Sequence, residues 1–297
     1  AKHIFAIDYL KLKVEITNNP LELSQNMVIP LTKFDGEFQP LQESYSKQWV
    51  CGSYNDHIQI KAINKNEILI HGNLFKWLNG QNVTGTTDLI QLVLDTVNRL
   101  SQIFNAITPT DTEIENIKLG LFRIYRIDVN KALLFDDKQK AQQYLSSIKE
   151  HGTYPRRDRE VENNGIYFGK GSKRTTLLYY FKGQEIRSHN KQQTTLTTEL
   201  REYADRMIRC EVRLFNQQLR DSELHYGYCW NEKLVKHLVE DAHGKLNLPE
   251  PVSEIELPAK YIRFLATQKQ GALHIGYTAS TTARYKRDLA RDYGLMV

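Results

Sequence analysis

The sequence predicts an α+β fold: an antiparallel sheet with helices packed on one face, followed by a small helical unit resembling a helix-turn-helix. Three observations predict it. Short segments alternating apolar and polar residues recur through the first 215 residues, as strands do. Stretches with apolar residues at helical spacing interrupt them. A proline-rich stretch at 247–258 (Pro249, Pro251, Pro258) then sets off a last segment that reads as helical.

The elements follow in order. Residues 3–16 read as a strand, with Ile7 and Tyr9 among Asp8, Lys11 and Lys13. Residues 58–62 and 68–71 form short strands around the polar turn at 64–66. A turn-rich stretch, 80–85, precedes a helix over 88–105, in which Leu89, Val93, Val97, Leu100 and Phe104 repeat at helical spacing. Thr86 and Thr87 are its candidate caps, with Asp88 in the first turn. Residues 119–129 read as a strand and 136–150 as a helix, whereas 151–164 is charged and irregular. Segments 165–170 and 174–182 form a hairpin around Gly171-Ser172-Lys173. A helix marked by Leu196, Leu200, Ala204 and Met207 leads into a strand at 208–215. Beyond the proline-rich stretch, helices over 261–270 and 280–293 flank a turn, and Gly294 suits the position after the second helix.

With 297 residues the chain suits two units, divided at 225/226. Forty Lys and Arg against 35 Asp and Glu give +5, a mild excess that permits nucleic-acid binding without requiring it. Cys51, Cys210 and Cys229 are too far apart for a disulfide framework or a metal knuckle, which fits a reducing cytoplasm. No apolar run reaches the roughly 18 residues of a membrane span, and no signal peptide is expected.

Four places could carry chemistry. On the strand 174–182, Leu178, Tyr180 and Lys182 share one face, with Tyr179 and Phe181 on the other. A cation near Tyr180 would favour its phenolate, a nucleophile; an exposed cross-strand Tyr–Lys pair is the alternative. Asp128 and Glu211 lie mid-strand in apolar surroundings, where an acid must be paired or metal-bound. Converging, they could hold Mg²⁺ or Mn²⁺, with His71 as a further donor. The alternative is two ion pairs, Asp128 with Arg126 or Arg123 and Glu211 with Arg209 or Arg213. The Gly/Asn-rich turn before the capped helix could present backbone N–H groups to a phosphate, without matching a nucleotide-binding loop. In the last helix, Arg284, Arg287 and Arg291, with Lys286 beside them, form a basic stripe diluted by Asp288 and Asp292.

The order of these signals resembles the phage replication-initiation proteins typified by the gene II protein of filamentous phages. The run 74–89 resembles that family's "PAK-x-L-x-GHN-x-x-G" segment and the helix cap after it. Arg126-Ile127-Asp128 resembles its "RID" strand, and 176–182 its "TL-x-x-Y-x-K" nucleophile strand. Glu185 and Arg209-Cys210-Glu211 match later acidic and "R-x-E" elements, and 282–295 resembles its terminal helix. Gln81 stands where the family has His, Asn82 is kept, and only Lys76 survives of the family's "SPAK".

The resemblance implies a rolling-circle initiator, with 1–225 as the nicking domain and 226–297 as a helical DNA-binding region. Tyr180 would cut the plus-strand origin, keep a 5′-phosphotyrosine link, leave a 3′-OH for the host polymerase and later circularise the displaced strand. Lys182 would support the phenolate. Asp128, Glu211 and His71 would hold Mg²⁺ or Mn²⁺. Lys76, Asn82, Lys173, Arg174, Arg284, Lys286, Arg287 and Arg291 would contact DNA. Partners would be single- and double-stranded origin DNA and the host replicative helicase and polymerase, with no membrane. A non-catalytic origin-binding regulator and a plasmid-mobilisation relaxase are the alternatives.

Overall fold

Strand alternation shapes the protein from its first element. In β1 (Phe5–Glu15), Leu10, Leu12 and Val14 are buried while Lys11 and Lys13 stay partly exposed. The computed structural model describes residues 4–25, 28–31, 42–189, 196–248, 257–269 and 271–293. Most of the proline-rich stretch, and Gly294, lie outside the described residues. After β1 come α1 (Pro20–Leu23), β2 (Val28–Leu31), β3 (Gln42–Tyr45), β4 (Gln48–Cys51), β5 (His57–Asn64) and β6 (Glu67–Gly72). Then follow α2 (Leu74–Asn79), α3 (Leu89–Ile103), α4 (Asp111–Lys118), β7 (Arg123–Leu134) and α5 (Lys138–His151). The second half holds β8 (Arg159–Glu162), β9 (Gly165–Phe168), β10 (Thr175–Phe181), α6 (Lys182–His189), α7 (Thr198–Asp205) and β11 (Met207–Phe215). The chain continues through α8 (Asn216–Asp221), α9 (Glu232–Gly244), α10 (Ala259–Lys269), α11 (Leu273–Gly276) and α12 (Ala279–Tyr293).

Nine strands form one antiparallel sheet in the order β4-β5-β6-β1-β7-β11-β10-β9-β8, and β2 pairs with β3 separately. One face carries Leu10, Leu12, Ile70, Ile127, Val129, Val212, Leu177 and Tyr179. Onto it pack Val93 and Val97 of α3, Leu145 and Ile148 of α5, and Val235 and Val239 of α9. The predicted helices-on-one-face arrangement holds for these. The other face has a small core of its own at one end, where Ile186 of α6 and Tyr203 and Ala204 of α7 cover Ala132 and Met207. That leaves the middle of this face open and polar.

Several local expectations shift. The cap of α3 is Asp88, whose carboxylate accepts from the Gln91 N–H at 3.0 Å, rather than Thr86 or Thr87. Helix α4 has a full capping box, Thr110 with Glu113, ahead of β7. The irregular stretch 151–164 contains β8, an edge strand whose residues are all exposed and mostly charged, which blunts pairing with other chains. A division at 225/226 would place α9 outside the sheet domain, although Val235 and Val239 are fully buried in its core. A separate core of Leu257, Tyr261, Phe264 and Leu289, with Tyr277 and Tyr285 against it, holds α10, α11 and α12 together.

On the packed face Tyr179 is hydrogen-bonded to Nδ1 of His243 in α9 at 2.8 Å. Burial, reinforced by Lys131 and opposed by Glu240, lowers the His243 pKa from the ordinary 6.5. Folding thus favours the neutral imidazole, and the unfolded chain binds more protons below 6.5. Stability is expected to be undiminished by this residue above that pH and to fall as pH drops below it, until His243 protonates in the folded state too. Urea unfolding across a pH series reads this, and His243→Gln should flatten the slope. An equal slope in the variant would assign the acid sensitivity to other groups.

Candidate active site

Four strands bring their polar residues to the open face by register alone. Tyr180 of β10 stands opposite Arg209 of β11, and Leu178 opposite Glu211. Glu211 faces Asn130 of β7, Arg213 faces Asp128, and Asp128 faces Tyr9 of β1. Between Ile7 and Tyr9 the register of β1 shifts by one residue, and Asp8 is the extra one. The result is an open cleft of about 510 Å³ with Tyr180, Asp128, Glu211 and Arg213 among its lining residues. On the far side of β10, Gly165 pairs with Tyr180. A Cβ there would lie 2.4 Å from the Tyr179 carbonyl oxygen and 3.0 Å from the Tyr180 Cβ, so no larger residue fits without moving the Tyr180 backbone.

The hydrogen bonds fall into two groups. In the first, Arg126 donates to both Asp128 oxygens, at 2.9 and 2.6 Å, a two-pronged pair. Arg213 donates to Glu211 Oε1 at 2.8 Å and lies 3.7 Å from Asp128. Tyr180 donates to the other Glu211 oxygen at 3.4 Å. In the second group, Asp8 Oδ1 accepts from Asn73 at 2.6 Å and from Asn82 at 3.0 Å. Asn82 accepts from Lys182 Nζ at 2.9 Å, and Lys182 pairs with Glu185 at 2.6 Å. Arg209 donates to the carbonyls of Asn82 and Val83 at 2.6 and 3.1 Å and approaches Asp8 at 3.7 Å.

Burial dominates the electrostatics. It raises Glu211 to about 7, with Arg213 opposing and the Asp128 and Asp8 charges adding to the rise. It raises Asp128 as well, against Arg126 and Arg213. It would raise Asp8, but Arg209, Lys182 and the two asparagine amides outweigh it and hold that carboxyl below the ordinary value. It pushes the Tyr180 phenol well up, with Glu211 adding and Arg209 opposing. It pulls the Lys182 amine down, with Arg209 adding and Glu185 and Asp8 opposing.

The predicted residues are gathered unequally. Tyr180, Asp128 and Glu211 share the cleft, and Tyr179 points away into the core. Lys182 is fully buried and meets the Tyr180 ring, 5.9 Å from its centroid, while its Nζ is bonded to Asn82 and Glu185. The cation that opposes the high Tyr180 pKa is Arg209, not Lys182. His71 is set apart by Tyr9: its Nδ1 meets Tyr9 Oη at 2.8 Å and its Nε2 meets Gln59. Asp128 and Glu211 hold arginines in this arrangement, and among the described residues no three His, Cys, Asp or Glu side chains are placed to hold a metal ion. The ligand set Asp128, Glu211 and His71 is therefore not assembled.

Of the residues expected at DNA, Lys76 borders the cleft but pairs with Asp56 at 2.8 Å. Asn82 is buried at the cleft wall and ties Asp8 to Lys182. Lys173 and Arg174 are exposed at the other end of β10, where Arg174 pairs with Asp221 at 2.5 Å. On α12, Arg284 and Arg287 are exposed and Lys286 partly so, while Arg291 is engaged by Asp292 and Asp288. Sequence reasoning missed Asp8 and Asn73. The signal for Asp8 was an acid in an apolar strand, and its place at an irregularity became visible only with the partner strand.

Comparison with known proteins identifies the family. The Phage CRI family, described as the N-terminal part of a replication-associated protein, matches residues 6–233. The chain is 23% identical over 270 residues to the replication-associated protein of Enterobacteria phage I2-2, covering 85% of this chain and 78% of that protein. It is also similar to the solved rolling-circle replication initiator protein from Geobacillus stearothermophilus, at 11% identity and a TM-score of 0.32, over 88% of this chain and 95% of that one. The family match runs from the first strand through the start of α9 and covers every strand of the nine-stranded sheet, so the chain belongs to this family of phage replication-associated proteins.

Proposed function

We propose that the protein initiates rolling-circle replication by cutting one strand of origin DNA with Tyr180 as nucleophile. Family membership supports the replication role. The observation that carries the chemistry is the Tyr180–Glu211 hydrogen bond at the floor of a cleft whose other walls hold arginines. Glu211, raised to about 7, suits proton exchange near neutral pH. It takes the phenol proton as Tyr180 Oη attacks phosphorus. The bond from phosphorus to the 3′-oxygen breaks, and the same carboxyl returns the proton to that oxygen. The strand is left with a free 3′-OH and a 5′-phosphotyrosine link. A 3′-OH attacking that link reverses the steps and closes a displaced strand into a circle. Arg209 and Arg213 supply positive charge to the phenolate and the phosphate oxygens.

No step here runs through a metal ion, because Asp128 and Glu211 are occupied by guanidinium groups. The requirement for Mg²⁺ or Mn²⁺ implied by the resemblance is read by chelation in the nicking assay itself. That assay mixes the protein with supercoiled DNA carrying its origin. Open circles bearing covalently attached protein support the reading, and mass spectrometry of the adduct identifies the linked residue. Tight origin binding without any nicking would favour the regulator reading instead.

The basic α12 is proposed to contact origin duplex through Arg284, Lys286 and Arg287. Replacing Arg284 and Arg287 with Gln is expected to weaken duplex binding and to reduce its salt slope by about 1 per lost phosphate contact. An unchanged slope would remove α12 from the interface.

A further inference from the structure

The same face of the sheet runs on past the cleft, with Gln59 of β5 buried in it and Lys61 beside it bonded to Ser44 of β3. Register carries it outward from β7 to the edge: Arg126 stands opposite Lys11, Lys11 opposite His71, His71 opposite Gln59, and Gln59 opposite Trp49. This row crosses β7, β1, β6, β5 and β4 on the face opposite α3, α5 and α9. It ends on an aromatic ring of unusual exposure. Trp49 is 66% exposed, whereas Trp77 and Trp230 are 1% and 5% exposed. Tyr9 lies between the cleft and this row, with the Arg126 guanidinium 4.3 Å from its ring centroid. Its hydroxyl is fixed to His71, which is fixed in turn to Gln59, so the middle of the row is held still.

The row is also basic. Lys11, Lys47 and Arg126 all lie close enough to His71 to disfavour its protonation, after burial. The neighbouring acids are neutralised, Asp128 by Arg126 and Glu67 by Lys13. A row of cations ending on an exposed ring fits an unpaired strand, because single-strand binding combines stacking on aromatic rings with cations along the backbone. Duplex DNA keeps its base faces stacked and offers no free ring to Trp49. Six strand spacings of about 4.8 Å separate β10 from β4, so the path is roughly 29 Å long. Single-strand sites on other folds span about 4–16 nucleotides, a range that accommodates such a path.

We propose that this row is a track for single-stranded DNA leading away from the cleft, with a base stacked on Trp49 and phosphates held by Lys11 and Lys47. The proposal rests on the nicking reading for its partner. It is tested with Tyr180→Phe protein, so that no cleavage intervenes, and with oligo(dT) of about 6 and about 16 nucleotides. The longer oligomer is expected to bind more tightly and to quench tryptophan emission. Trp49→Ala should abolish the quench and weaken binding of the longer oligomer about ten-fold. Lys11→Gln and Lys47→Gln should each reduce the salt slope by about 0.7. Trp49 is exposed, so these losses are read at an unchanged melting temperature. Undiminished affinity in Trp49→Ala, or equal quenching by duplex of the same length, overturns the track. If wild-type protein forms its adduct on origin DNA while Trp49 stays unquenched, the track alone fails. If Trp49 is quenched but no adduct ever forms, the nicking reading fails and the track stands.

Discussion

Replacing Tyr180 with Phe is expected to abolish the covalent protein–DNA adduct while leaving the fold and DNA binding in place. The change removes one oxygen. Tyr180 is 9% exposed, and its hydroxyl donates to Glu211 at 3.4 Å beside the Arg209 guanidinium. The ring remains to fill its place beside Lys182, so the stability cost is about 1 kcal/mol or less. The chemical cost is total, because no other hydroxyl occupies that position. Tyr179→Phe is the control with the opposite pattern. That hydroxyl is bonded to the half-buried His243 on the packed face, so its loss costs about 1 kcal/mol. Adduct yield per folded molecule should be unchanged. Adduct from Tyr180→Phe at the wild-type level, with loss in Tyr179→Phe, would reverse the assignment. The measurement is adduct yield after denaturing electrophoresis, normalised to folded protein.

Arg209→Met is expected to damage both stability and nicking. Arg209 is 2% exposed and clamps the 82–83 loop through two carbonyls while facing Asp8 and Tyr180. Removing the guanidinium leaves two buried carbonyls without their donor. It also leaves Asp8 with Lys182 as its remaining buried cationic neighbour. Breaking a buried pair on one side costs about 3–5 kcal/mol. The loss of positive charge opposite Tyr180 should slow nicking by about 10²-fold or more, the scale of one electrostatic donor. Arg209→Lys separates the two effects, because it keeps a charge but cannot reach both carbonyls and Asp8 together. Its nicking should recover more than its melting temperature does. Full stability in Arg209→Met would show that the loop is held by the Asn73, Asn82 and Gln81 hydrogen bonds alone.

Much of the sheet was legible because strand alternation is local. Tyr180 and Tyr179 were separated by parity before any partner strand was known, and the hairpin of β9 and β10 was marked by Gly171 and its neighbours. Mid-strand Asp128 and Glu211 were visible as acids needing partners, and both proposed ion pairs, to Arg126 and to Arg213, exist. What sequence did not show depends on long-range register. His71 looked like a ligand near the other acids, yet Tyr9 comes between. Lys182 looked like the partner of Tyr180, yet the strand ends at Phe181, and its amine turns toward Asn82, 100 residues away in sequence. Helix α6 was hidden for the same reason, since its buried Ile186 packs against a second core that needs α7 and β11 in place.

The position of β11 has a consequence for synthesis of the protein. It is the last strand of the sheet in sequence and lies between β7 and β10. Until it emerges and inserts, the hairpin carrying Tyr180 has no hydrogen-bonded connection to the strands carrying Asp8 and Asp128. Such long-range closure is a slow folding step. A ribosome-bound chain that stops before residue 207 thus holds the tyrosine and the first acids but neither Arg209 nor Glu211, which lie between them. On the proposed nicking reading, cutting is expected to be withheld from unfinished chains until the full sheet has closed.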